Sequence, residues 1–211
     1  DFHTDGGEVT LIDFMPLRNG VPDVCRIVRG RRGTVRMRFE LVIRHDTGQV
    51  VPWVRRVDHG LVSVAGPDAM HLCSHVELHG EDFKTVGTFD VHAGEEESFV
   101  LVWQPSHEPE QMCAPVADLL ERTEQWWREW SSQCTYDGPW REAVLRSAIT
   151  LKALTFEPTG GMVAALTTSL PECIGGDRNW DYRFCWLRDA TFTLLALMKA
   201  GYSDEACAWR D

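Results

Sequence analysis

Between Arg178 and Asp189 the chain reads R-N-W-D-Y-R-F-C-W-L-R-D, four aromatic and five charged residues within twelve positions. Arg188 and Asp189 could hold several hydroxyl groups at once, because a guanidinium offers five donors in a fixed fork and a carboxylate offers only acceptors. Trp180, Tyr182 and Trp186 could present flat apolar faces to the C–H side of a pyranose ring. Aromatic platforms beside charged hydrogen-bonding groups describe a sugar site. The same residues also fit a plain structural reading, with Asp189 capping the helix that follows and Arg188 tying down the loop. Composition alone leaves both readings open.

The elements that must position these residues follow from the hydrophobic period, which changes once along the chain. From Thr34 to Arg44, T-V-R-M-R-F-E-L-V-I-R places Val35, Met37, Phe39, Leu41 and Ile43 on one face and charged residues on most of the other. That period of two predicts a half-buried strand. Short apolar runs recur at 9–12, 50–54, 61–64, 70–78, 85–91 and 98–103, separated by turn signals such as Asp46-Thr47-Gly48 and Gly66-Pro67-Asp68. Many short strands without intervening helices predict an antiparallel β-sandwich.

After Pro105 the period lengthens. Val116, Leu119, Leu120, Thr123, Trp126, Trp127 and Trp130 recur at three- and four-residue steps, an amphipathic helix. A turn at Tyr136-Asp137-Gly138-Pro139 leads to a second helix over about 140–156. A third is expected over about 190–200, with Asp189 as N-cap and Gly201 as its C-terminal stop. This last helix, A-T-F-T-L-L-A-L-M-K-A, is apolar nearly all round and should be buried on most sides, which points to a large helical domain continuing past the present chain. The residues 178–189 form the loop that feeds it, after the polar and glycine-rich T-T-S-L-P-E-C-I-G-G, and loops on rigid helix ends are where sites tend to sit.

Bulk properties narrow the chemistry. The 211 residues carry 32 acidic and 21 basic side chains, a net charge of -11, so the overall field repels nucleic acid and anionic lipid. Seven cysteines, an odd number without a C-x-x-C pair, fit a reduced cytoplasmic protein better than a disulfide framework. No apolar run reaches the roughly 20 residues of a membrane helix, and no leader peptide is evident. The chain opens without methionine and stops within an apparent helix, so it is expected to be an internal fragment.

Residues 135–211, with T-Y-D-G-P-W-R-E-A-V-L-R-S-A, T-T-S-L-P-E and W-D-Y-R-F-C-W-L-R-D, resemble the start of the catalytic domain of glycoside hydrolase family 15, which includes glucoamylases, glucodextranases and trehalases. The strand-rich region, with V-P-W-V-R-R-V-D and W-Q-P-S-H-E-P, resembles the N-terminal domain of the bacterial trehalase-like members. The resemblance implies a β-sandwich over 1–105, a helical linker over 106–135, and over 136–211 the first helices of an incomplete (α/α)6 toroid. It implies that Arg188 and Asp189 hold the hydroxyls of the glucose at the non-reducing end. Tyr182 would then sit beside the anomeric centre and Trp186 would line the same subsite, with Trp180 and Asp181 in support. Asp177 stands where the family pattern leads one to expect a small apolar residue.

The resemblance further implies an inverting exo-acting α-glucoside hydrolase, with trehalose the favoured substrate and α-glucans the alternative. A non-catalytic carbohydrate-binding relative is the other class. Inverting glycosidases use two carboxylates roughly 6.5–9.5 Å apart, one acid and one base with a water between. In the family both are glutamates later in the chain than Asp211, so these residues alone are expected to be inactive and poorly soluble. Glu172 matches no catalytic position and reads as an exposed loop carboxylate. No cofactor and no metal are expected, nor nucleic acid or membrane as partners, and a homo-oligomer is compatible with this reading. The run H-L-C-S-H-V-E-L-H, residues 71–79, would space its histidines about 7 Å apart along a strand, too far for three ligands on one ion, and predicts a solvated sheet face. The R-G-R-R cluster at 29–32 is expected at a turn or an interdomain contact, and the Trp126, Trp127 and Trp130 group in packing.

Overall fold

A computed structural model describes residues 1–17, 21–109, 114–167 and 171–210. It divides into two compact units, residues 1–125 and 126–211.

The first unit is the β-sandwich, followed by the start of the first helix. Its strands are β1 (Phe2–Thr4), β2 (Gly7–Phe14), β3 (Asp23–Leu41), β4 (Trp53–Val57), β5 (Gly60–Ala65), β6 (Asp68–Cys73), β7 (His79–Glu81), β8 (Lys84–His92) and β9 (Glu96–Pro105). One sheet has the order β1-β2-β3-β9-β6-β5-β4, all neighbours antiparallel. The expected strand over 34–44 is the second half of the 19-residue β3, whose first half, 23–29, pairs with β9. From Thr34 to Leu41 the same strand pairs with β8, which in turn pairs with β7, so one continuous strand serves both layers.

The switch between layers happens at R-G-R-R-G. A side chain on Gly30 would collide with the carbonyl of His92, and Gly33 has φ +63, where only glycine is unstrained. The basic cluster is thus a corner inside a strand. Its arginines are anchored locally, Arg29 by Glu96 and Arg31 by the Thr10 hydroxyl at 2.9 Å.

Alternation delivers the apolar residues to the space between the layers. Val9, Val28, Leu61, Leu72 and Phe99 come from the long sheet, and Val35 and Val91 from the other. Phe39 and Phe99 stack across them with ring centres 4.5 Å apart. On the other side of the long sheet, Cys25, Cys73, Val100 and Val102 are covered by Val116 and Leu119 of α1 (Val116–Ser132).

Four expectations need correcting here. The run 50–54 is strand only from Trp53, because Val50 instead closes a tight loop with His45. The run 70–78 does not continue as one strand, since β6 ends at Cys73 and β7 starts at His79. His71 is therefore no part of a solvated face. It is buried, with its Nε2 3.7 Å from Cys73 Sγ, while His75 and His79 are exposed. Nor are the cysteines all reduced, because Cys73 is disulfide-bonded.

The second unit holds the rest of α1, then α2 (Arg141–Ala153), a small hairpin of β10 (Thr155–Phe156) and β11 (Gly161–Met162), α3 (Leu187–Lys199) and α4 (Asp204–Arg210). The second helix stops at Ala153, short of Phe156, because Thr155 and Phe156 pair with Met162 and Gly161 instead. Trp130, Cys134, Ala148, Met162, Leu197, Ala200 and Tyr202 form the core. Trp130 lies parallel to Tyr202 with centres 4.0 Å apart, and its indole N–H donates to Glu205 at 2.7 Å. Lys152 reaches the same carboxylate at 3.3 Å. The tryptophan group of α1 thus packs within this unit. Burial pushes Glu205 up, but the Trp130 and Lys152 contacts outweigh it and hold the carboxyl below its ordinary value.

Gly201 ends α3 as expected, with φ +104 one residue past the C-cap Ala200. The start of α3 differs. The helix begins at Leu187 with Trp186 as N-cap, so Asp189 lies in the first turn and is not the cap. Its carboxylate faces the Arg188 guanidinium at 3.2 Å instead of the free N–H groups. Of the apolar residues of α3, Ala190 and Leu197 are buried, whereas Phe192, Leu195 and Met198 are exposed, so within this chain the helix is covered on one side only. Among the described residues no helix is long and apolar enough to cross a membrane.

Candidate functional site

The loop before α3 is held by main-chain bonds to the segment that leaves β11. Val163 N–H donates to Leu154, Ala164 N–H to the carbonyl of Phe184 at 3.1 Å, and Ala165 N–H to that of Tyr182 at 2.8 Å. This fixes residues 182–184 before any side chain is considered. Within the loop Tyr182 and Trp186 stack, ring centres 5.4 Å apart and planes 13° from parallel. Trp186 keeps its ring in place by donating its indole N–H to the Asp181 carbonyl at 3.2 Å. Both rings are half-buried, which leaves part of their surface open to a ligand.

Arg188 and Asp189 follow on the first turn of α3. The pair is joined by Nη2 to Oδ2 at 3.2 Å, with the arginine largely exposed and the aspartate about one-third exposed. A single bond occupies little of their capacity, so most donors of Arg188 and one oxygen of Asp189 are free to meet hydroxyls. Position in the first helical turn also suits the negative charge of Asp189.

The remaining expected residues sit differently. Asp181 is engaged within the loop: its carboxylate takes the Arg183 main-chain N–H at 2.9 Å and the Arg183 guanidinium at 3.1 and 2.8 Å. That hydrogen bonding with Arg183 lowers the pKa of Asp181 and raises that of Arg183. Trp180 is half-exposed, its indole N–H 3.5 Å from Glu172. Glu172 also faces Arg178 at 3.7 Å and is more than half exposed, on the loop and outside the stack. Asp177 is exposed, next to Gly175 with φ +82 and Gly176. Of the T-T-S-L-P-E stretch, Thr168, Ser169 and Leu170 lie outside the described residues.

Arg183, to which the sequence reading assigns no role, is the residue that the geometry adds. A D-x-R spacing, in which an aspartate can bond the N–H two residues on, is the signal that could have marked it. Two cavities of about 920 and 960 Å³ lie in the sandwich unit, and neither is lined by any of residues 178–189. One is lined by residues of β4 and β7 and the other by His71, Cys73 and Val116, so size alone does not locate the aromatic and charged cluster.

Comparison with known proteins gives concordant results for both units. Residues 138–211 match the model of glycosyl hydrolases family 15. A trehalase of Thermoplasma acidophilum is 33% identical over 209 residues, covering 96% of this chain and 36% of the relative. One of Thermoplasma volcanium is 32% identical over 200 residues, covering 93% and 32%. That of Mycobacterium tuberculosis is 47% identical over 109 residues, 51% of this chain and 16% of the relative. The chain spans about a third of the length of the archaeal relatives it matches. The helical unit thus matches glycoside hydrolase family 15, and sandwich and helices together are similar to trehalases.

Proposed function

We propose that this chain carries the sandwich and the glucosyl-binding portion of an inverting, exo-acting α-glucoside hydrolase whose substrate is trehalose. In this reading residues 1–105 are the sandwich domain, 106–135 a linker, and 136–211 the beginning of the catalytic toroid. The observation that carries it is the juxtaposition of the Tyr182–Trp186 stack with the Arg188–Asp189 pair on the first turn of α3. A glucosyl unit has an apolar C–H face and a rim of hydroxyls, and the cluster offers a partner for each.

Arg188 would donate to ring hydroxyls and Asp189 would accept from them. Tyr182 would flank the anomeric carbon and Trp186 would close the wall behind it, with Trp180 at the margin. Glutamates later in the protein would supply the acid and the base on either side of the scissile bond. The trehalase names of the relatives favour trehalose over α-glucans. A cytoplasmic setting and a homo-oligomeric state belong to the same proposal, and nucleic acid and membranes are left out of it by the charge of -11.

The test is glucose release by the full-length protein, followed in time on trehalose and on maltotriose in parallel. Release from trehalose alone is expected. Release from maltotriose alone would make the enzyme a glucoamylase-like α-glucan hydrolase, and none from either would leave a carbohydrate-binding relative without catalysis.

A further inference from the structure

Four contacts converge on Asp181, and each does a different job. The Arg183 N–H on Oδ1, at 2.9 Å, closes a side-chain turn over 181–183. The Arg183 guanidinium covers both oxygens, Nε on Oδ1 at 3.1 Å and Nη2 on Oδ2 at 2.8 Å, the fork-to-fork arrangement that fixes direction as well as distance. The main-chain carbonyl of Asp181 then receives the Trp186 indole at 3.2 Å. Between the two clamped residues, Tyr182 is pinned by Ala165. Trp186 is therefore referred to Asp181, which Arg183 holds, while Tyr182, next to Asp181 in the chain, is tied through its own carbonyl to Ala165.

The pair has no evident part in global folding. Its members are two residues apart, so it ties no distant segments together, and Arg183 is well exposed, where ion pairs contribute little to stability. Its effect is local orientation. We infer that Arg183 is a positioning residue of the glucosyl subsite: by clamping Asp181 it sets the plane of the Tyr182–Trp186 stack against which the sugar is held. The inference rests on the glucosyl-subsite reading of the cluster. Asp181 accordingly acts through the stack and not by binding hydroxyls, since its oxygens are already taken.

The experiment uses the full-length protein with Arg183→Lys, which keeps the charge but cannot form the fork, and Asp181→Asn, which keeps the turn but weakens the clamp. Each is labelled with 5-fluorotryptophan, and the ¹⁹F signal of Trp186 is identified by its loss in Trp186→Phe. Both variants are expected to move the Trp186 signal and leave that of Trp130 in place. They should lower kcat/KM on trehalose by about 10- to 100-fold, the scale of a small misplacement at a reacting centre, at an unchanged urea midpoint. An unchanged kcat/KM in an active parent overturns the inference, as does a loss of activity accompanied by a lower midpoint and a shifted Trp130 signal. A parent that releases no glucose defeats the hydrolase reading instead, and the Trp186 signal alone then decides whether the clamp exists.

Discussion

Arg188 and Asp189 illustrate how a side chain can be held by its neighbour and still keep capacity for a ligand. One hydrogen bond at 3.2 Å joins them, while the fork of Arg188 has five donors. Arg188→Lys in the full-length protein is expected to reduce kcat/KM on trehalose by about 10- to 100-fold, mostly through KM, the equivalent of one or two charge-assisted hydrogen bonds to a substrate. Steady-state kinetics check this, and an unchanged KM would remove Arg188 from the subsite. The motif residues were legible because their chemistry is local, whereas the role of Asp189 as an N-cap was misread. Cap identity depends on where helical backbone begins, and Trp186 takes that place three residues before the Asp189 cap that an Ala190 start would need. Arg183 was missed as a partner of Asp181, since an i to i+2 ion pair leaves no trace in hydrophobic periodicity and only the D-x-R spacing marks it.

At the scale of elements, each unit has its own internal device, and each predicts a measurable cost. The corner of β3 depends on Gly30, where any side chain meets the His92 carbonyl, so Gly30→Ala should destabilise the sandwich by about 2–4 kcal/mol in urea unfolding. In the helical unit, Glu205 links α4 to Trp130 of α1 and Lys152 of α2. Its carboxyl is held below the ordinary 4.5, so the stability it contributes is complete above about that pH and is lost as pH falls through the folded-state value. Glu205→Gln should flatten this acid limb of thermal unfolding, and an acid limb as steep as the parent's would exclude the group. Trp130→Phe, which keeps the ring but removes the donor, should cost about 1–3 kcal/mol by leaving that buried carboxylate short of a partner. Strand alternation made the sandwich readable in advance, yet the two-layer span of β3 was not. Its first half reads D-V-C-R-I-V-R-G, buried on both faces at Val28 and Cys25, so it shows no clean alternation from which to recognise a strand.

For the whole molecule, the sandwich and the helical unit have separate cores, and the aromatic and charged cluster lies entirely in the second. Sequence patterning located that cluster and the change from strands to helices, because both are written in residue spacing. It did not reveal the burial of His71 or the bonding of Cys73, which depend on where β6 stops and what lies beside it. The 211 residues alone are expected to release no glucose, since in the proposed reading the cluster would hold a glucosyl unit while the acid and base would come from glutamates elsewhere in the protein, and glucose production by the purified chain would contradict that. The most direct test of the central claim is the anomeric form of the product, followed by ¹H NMR as the full-length protein acts on α,α-trehalose. Attack of water with inversion at one anomeric carbon yields one β-glucose from that ring and one α-glucose from the other, so equal initial amounts of the two anomers are expected. Only α-glucose would contradict an inverting mechanism, and no glucose at all from folded protein would contradict the assignment of trehalose as substrate.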